Sequence, residues 1–192
     1  MVDLIDIADD LKKPSKKQQG GIAQHIYYAL QDDFKKDGIA QLPDPAQNLA
    51  DFVEIQQDHQ LKPGRYWKKV YCSLMKGQYQ TEVSGEKDSR IMKVTTTAYL
   101  PNKESKALGS FNALLDENVI VLVPLVGKNC NDVEYMQVGD GCLWAEIMPA
   151  FDTGQGPEAE RGTTLTIEGY HLLKYKGNII TSEDVDSSDS AS

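Results

Sequence analysis

The 192 residues predict a mainly β fold with one covering helix, on three observations. Runs rich in β-branched and aromatic residues recur between turn signals, most plainly from Tyr66 to Leu100. A single stretch, Lys103 to about Leu115, carries a helical apolar stripe, and glycine-rich turns separate further short strands up to Tyr170. The chain is long enough for one ordinary domain, and such a domain buries enough surface to need no disulfide or metal staple.

Taken in order, residues 1–21 form an N-terminal arm. Its acidic half has apolar points at Leu4, Ile7, Ala8 and Leu11, followed by Lys12, Lys13, Lys16, Lys17 and a Gly20-Gly21 hinge. The apolar spacing suits a short amphipathic helix with nothing local to bury it against. The body spans residues 22–178. Ile22 to Leu30 is a strand candidate, and Gln31 to Gln47 is a long polar excursion in which Pro43-Asp44-Pro45 excludes a helix or central strand. Leu49 to Gln56 reads as a second strand, ending before the Lys62-Pro63-Gly64 turn.

Tyr66 to Met75, Gln78 to Val83 and Arg90 to Leu100 then read as three antiparallel strands of a meander, separated by Gly77 and by Ser84 to Ser89. Alternation places Tyr79, Thr81 and Val83 on one face and Gln78, Gln80, Glu82 and Ser84 on the other. In the next run Met92, Val94, Ala98 and Leu100 oppose Lys93, Thr95 and Thr97. One face of this sheet is wet. Asn102 is the expected N-cap of the helix, whose stripe is Ala107, Leu108, Phe111, Leu114 and Leu115. Strands follow at Val119 to Leu125, Val133 to Val138, Leu143 to Met148 and Thr163 to Tyr170. The serine- and aspartate-rich residues 179–192 form an acidic tail that cannot bury apolar area, and it is expected to be mobile unless a partner holds it.

Composition excludes several classes. The net charge is −9, and tight nucleic-acid binding needs clustered cations instead. Cys72, Cys130 and Cys142 form no C-x-x-C pair, which fits reduced thiols made in a cytoplasm. The acidic N-terminus lacks the order of a signal peptide, and the longest apolar run, Val119 to Val126, is too short to span a bilayer. No enzyme is expected. His25, His59 and His171 are scattered outside any metal or protease motif, and Gly154-Gln155-Gly156 is no phosphate loop. Asp58-His59 would mimic half of a hydrolytic dyad and Asp184-x-Asp186 a fragment of a cation loop, but solvent-facing charges are the plainer reading of both. No cofactor or metal is implied.

From residue 69 to 170 the order of short motifs becomes recognisable. It runs through the Lys76-Gly77 turn, Glu82-x-x-Gly85-Glu86-Lys87-Asp88-Ser89, Lys93 and Pro101, then Ala107-Leu108-Gly109 and Asp116-Glu117-Asn118. It closes with Phe151-Asp152-Thr153-Gly154 and Arg161-Gly162-Thr163-Thr164-Leu165-Thr166. This pattern resembles the tail tube, or major tail, proteins of long-tailed bacteriophages; the Gln31 to Gln47 excursion and the Asn129 to Asp132 turn depart from it.

The resemblance implies an antiparallel β-sandwich or half-barrel with one flanking helix. It also implies hexameric rings that stack around a channel, with the tape measure protein and other tail proteins as partners. Neighbouring sheets would join into one inner barrel, DNA would pass through without sequence-specific contact, and the monomer would bind no membrane. The location would be the virion tail, after synthesis in the host cytoplasm. A conduit for DNA must not grip phosphates, so the wet face, with Gln78, Gln80, Glu82, Thr95 and Thr97, is the expected lining and Lys93 its exception in sign. Leu4, Ile7, Leu11, Asp37, Pro43, Gly85 and Asp88 are the expected assembly contacts. The alternatives are a related injection-system or baseplate tube protein, and a monomeric β-barrel that binds a small ligand through Trp67, Tyr71 and Trp144.

Overall fold

A computed structural model describes residues 20–74, 76–101, 104–126, 133–155 and 160–184. Residues 1–19 of the expected arm, the Asn102 cap, the Asn129 to Asp132 turn and residues 185–192 of the expected tail lie outside the described residues. Among the described residues ten strands form two sheets, with one α-helix of several turns beside them. The strands are β1 (His25–Leu30), β2 (Glu54–Ile55), β3 (Lys68–Tyr71), β4 (Gln78–Ser84) and β5 (Ile91–Leu100). After helix α1 (Ser105–Ala113) come β6 (Val119–Leu125), β7 (Glu134–Val138), β8 (Glu146–Asp152), β9 (Gly162–Tyr170) and β10 (Leu173–Tyr175). One sheet has the order β2-β10-β7-β6-β1-β3 and the other β4-β5-β9-β8; all neighbours are antiparallel except β2 and β10. The fold is a β-sandwich with a flanking helix.

The core explains the continuous apolar run of β6. Val119, Val121 and Val123 point into the space between the sheets, where they meet Val94, Ala98, Leu165 and Ile167. Ile120 and Leu122 point the other way, into a second cluster with Phe34, Ala40, Ile55, Trp67 and Tyr175. A strand buried on both faces has no use for polar alternation. Each fully buried Ile or Leu here contributes about 1.5–3 kcal/mol of transfer free energy. Phe111 and Leu114 bring α1 onto the first cluster.

Five expectations are corrected. Leu49 to Gln56 is a short 3-10 turn, Leu49–Phe52, followed by only two strand residues. Asn48 accepts the Asp51 N–H at 3.2 Å, while Asp51 accepts the Gln47 and Asn48 amides at 2.8 and 3.2 Å, and this reciprocal capping outcompetes the ladder. The three-stranded meander is a two-stranded hairpin, since β3 belongs to the other sheet. The switch is abrupt: the Cys72 N–H donates to Gln24 O beside β1, and the next amide, Ser73, donates to Tyr99 O of β5.

The helix is shorter than expected at both ends, with Glu104 as its N-cap and Leu114 as its C-cap; Leu115 is exposed beyond it. β8 starts at Glu146, three residues past Leu143, because the Asp140 carboxylate captures the Cys142 and Leu143 amides, both at 2.7 Å, in a turn. Finally, the packed body outruns residue 178. Ile179 lies against the second cluster and Thr181 bridges Trp67, so residues 179–184 belong to the body.

Candidate self-assembly surface

Strand pairing gathers the five expected lining residues on one face of the four-stranded sheet. Gln78 is opposite Thr97, which is opposite Thr166 and then Met148; Gln80 is opposite Thr95, Glu168 and then Glu146. Glu82 is opposite Lys93, which is opposite Tyr170. Residues directly opposite on antiparallel strands share a face, so Gln78, Gln80, Glu82, Thr95 and Thr97 form one contiguous polar patch. The other face of the same strands supplies Val94, Ala98, Leu165 and Ile167 to the core. What the structure adds is β9 and β8, which complete the patch with Thr166, Glu168 and Glu146. Sequence alternation within β9 contained that signal; its pairing with β5 across more than sixty intervening residues did not show.

The patch is acidic. Among the strand residues of this face Glu82, Glu146, Asp152 and Glu168 stand with one base, Lys93, and Lys76 reaches in from the turn to lie over the Tyr99 ring at 5.0 Å. Glu146 and Glu168 sit directly opposite each other, an unfavourable placement for like charges. Lys93 Nζ relieves it by donating to Glu168 Oε2 at 3.0 Å. That hydrogen bond, with the charges of Glu168 and Glu82, holds the Lys93 ammonium above its ordinary pKa.

The sheet ends in two terminal strands, β4 and β8, each seven residues long. Both show apolar side chains to solvent: Val83 at 61% and Phe151 at 40% exposure. Pro149 lies midway along β8, where it has no N–H to offer a partner strand. By contrast, the other sheet ends in the two-residue β2 and the four-residue β3.

The expected assembly contacts are dispersed. Leu4, Ile7 and Leu11 lie outside the described residues. Gly85 and Asp88 form the exposed tip between β4 and β5, with φ of 96° and 74°. A Cβ at Gly85 would stand 2.6 Å from Ser89 O, so that turn requires glycine. Asp37 is exposed, also with positive φ, and Pro43 is half-exposed. The excursion that carries them packs inward through Phe34 and Ala40 onto the six-stranded sheet, at the face away from the polar patch. Asp33, buried within it, pairs with Lys68 and with Arg65 at 3.5 Å.

Two of the histidines are tied into the fold. His59 is buried and fully hydrogen-bonded, while Asp58 faces outward to accept the Asn178 N–H at 2.7 Å. His171 Nδ1 meets Asp140 Oδ2 at 2.7 Å where the chain crosses from β9 to β10. Burial alone would raise Asp140, but the Leu143 and Cys142 amides and the His171 ring outweigh it and hold the carboxyl below its usual range. The aromatics of the small-ligand reading do not converge. Trp67 and Trp144 belong to the second cluster, whereas Tyr71 lines an open groove of about 490 Å³ between β3 and α1. Among the described residues no three His, Cys, Asp or Glu side chains are grouped to hold a metal ion, and no helix is long and apolar enough to cross a membrane.

Compared with protein-family models, with curated proteins and with solved structures, the chain matches none.

Proposed function

We propose that this protein is a structural subunit of a phage tail tube, forming stacked six-membered rings whose channel conducts DNA. The observation that carries the reading is the four-stranded sheet, which among the described residues is open at both edges and is polar on its outer face. Its strands alternate in direction, so β4 and β8 run opposite ways. Copies related by rotation about an axis along the sheet therefore meet β4 to β8 in antiparallel sense, and a closing rotation yields a continuous barrel with no edges. Six copies of four strands, spaced by about 4.8 Å, give a circumference of about 115 Å and a backbone-to-backbone diameter near 37 Å, which strand tilt widens and the lining side chains narrow. The lining would be the acidic, amide- and hydroxyl-bearing patch, which repels phosphate and makes no multi-contact grip. Virion location and the tape measure protein as partner rest on the same reading.

Negative-stain electron microscopy of the purified chain at rising concentration tests it. Rings or hollow filaments are the expected result. Single copies at every concentration, with β4 and β8 covered by segments of their own chain, would overturn it.

A further inference from the structure

The second core contains a titratable group that joins the excursion to the sheet beneath it. His59 Nδ1 accepts the Ala40 N–H at 3.0 Å, and on the opposite side of the ring Nε2 meets Gln137 Oε1 of β7 at 2.8 Å. Because Nδ1 is an acceptor, the ring is the neutral tautomer with its proton on Nε2. Gln137 passes the network on by donating to Gly139 O at 2.9 Å. The ring stacks on Tyr175 of β10 at 4.7 Å with Phe34 and Trp67 around it, and the His59 N–H donates to the Tyr175 hydroxyl at 3.1 Å.

Among the described residues, the Ala40 bond is the one hydrogen bond that ties residues 39–46 to the rest of the fold. Their neighbours are anchored separately: Gly38 O accepts the Gln60 amide at 2.7 Å, and the Gln47 amide donates to Asp51 at 2.8 Å. We propose that His59 is a pH-sensitive latch, in which a second proton on the ring frees residues 39–46 from the six-stranded sheet while the sandwich stays folded. An imidazolium has two donors and no acceptor, so the new Nδ1–H confronts the Ala40 N–H and both lose their partner.

The surroundings contain little to hold that charge. Gln137, Tyr175, Phe34, Trp67 and Ala40 are neutral. Asp58 is committed to Asn178, through the backbone N–H at 2.7 Å and the side chain at 3.0 Å. Arg65, which shares a pocket of about 180 Å³ with Asp58 and His59, turns to Asp33. Burial accordingly depresses the His59 pKa below 6.5, against smaller upward pulls from Gln137 and Asp58. The latch goes beyond the tube reading and stands without it.

Amide hydrogen exchange of the full chain, read as protection factors between about pH 7.5 and pH 5, tests this together with the NMR titration of the His59 ring. Protection of the Ala40 amide should fall by up to about tenfold per pH unit from the ring's ordinary value of 6.5 down to its lowered value in the fold, and level off below that. Amides of β5 and β9 should keep theirs. His59→Gln should abolish the pH dependence, whereas a His25→Gln/His171→Gln variant should retain it. Three results would each overturn the proposal: Ala40 protection that ignores the ring titration, loss of β5 and β9 protection in the same step, or a pH dependence that survives in His59→Gln. Should that variant not fold, the coincidence of ring titration and Ala40 exchange in the unaltered chain decides alone.

Discussion

Gly139 is where one added carbon should cost most. The residue follows β7 with φ of 86°, and a Cβ there would stand 2.6 Å from the Ala145 amide nitrogen and 2.9 Å from Val119 O. Those two atoms bond to each other at 2.9 Å and tie β6 to the start of β8, so neither can retreat without breaking the bridge. Gly139→Ala therefore combines a left-handed backbone penalty of about 1–2 kcal/mol with overpacking of about 1–3 kcal/mol. The sum, about 2–5 kcal/mol, lowers the Tm of a domain this size by about 4–20 °C. Gly109→Ala supplies the control, since Gly109 lies within α1 and an added methyl there would meet nothing within 4 Å; the same change should stabilise by up to about 1 kcal/mol. Urea and thermal unfolding followed by two spectroscopic probes measure both. Equal Tm values for the two variants would refute the reasoning from close approach and backbone conformation.

Further outcomes follow from the buried and charged groups. Burial pushes the Cys72 thiol up to about 12, so in the native chain a thiol reagent mapped by mass spectrometry should label exposed Cys142 and reach Cys72 only on unfolding. Asp140 has a depressed pKa in the fold; its stabilisation is complete above the unfolded value of 3.8 and is lost as pH falls through the lower folded one. Acid unfolding of Asp140→Asn should accordingly show a shallower pH dependence below about pH 4 than the unaltered chain. In assembled tubes, Glu82→Lys with Glu146→Lys should create a DNA affinity that falls steeply from about 50 to 200 mM salt, while unaltered tubes retain no DNA in the same filter assay.

The fold was legible wherever one face of an element is wet. Alternation in β4 and β5 put Gln78, Gln80 and Glu82 with Thr95 and Thr97, and the structure keeps them together. Legibility ended where side chains took over backbone partners. The Asn48 and Asp51 carboxamide and carboxylate bend an apparent strand into a turn, and Asp140 delays β8. It also ended where burial has two sides. The excursion reads as polar because Phe34, Ala40 and Leu42 are widely spaced, yet those are the residues that meet the second cluster. Which sheet receives β3 depends on contacts made by single amides at Cys72 and Ser73, and no local pattern encodes that.

Those two amides have a mechanical meaning. Since one reaches Gln24 and the next reaches Tyr99, the layers are stitched at one peptide, and the reciprocal Val119–Ala145 amide bonds, at 3.4 and 2.9 Å, add a second stitch between β6 and the start of β8. Sliding one layer over the other by even one residue spacing would tear both. Load applied along the strands is thus shared by the two layers as a unit, and shear between them is resisted by hydrogen bonds as well as by interdigitated side chains.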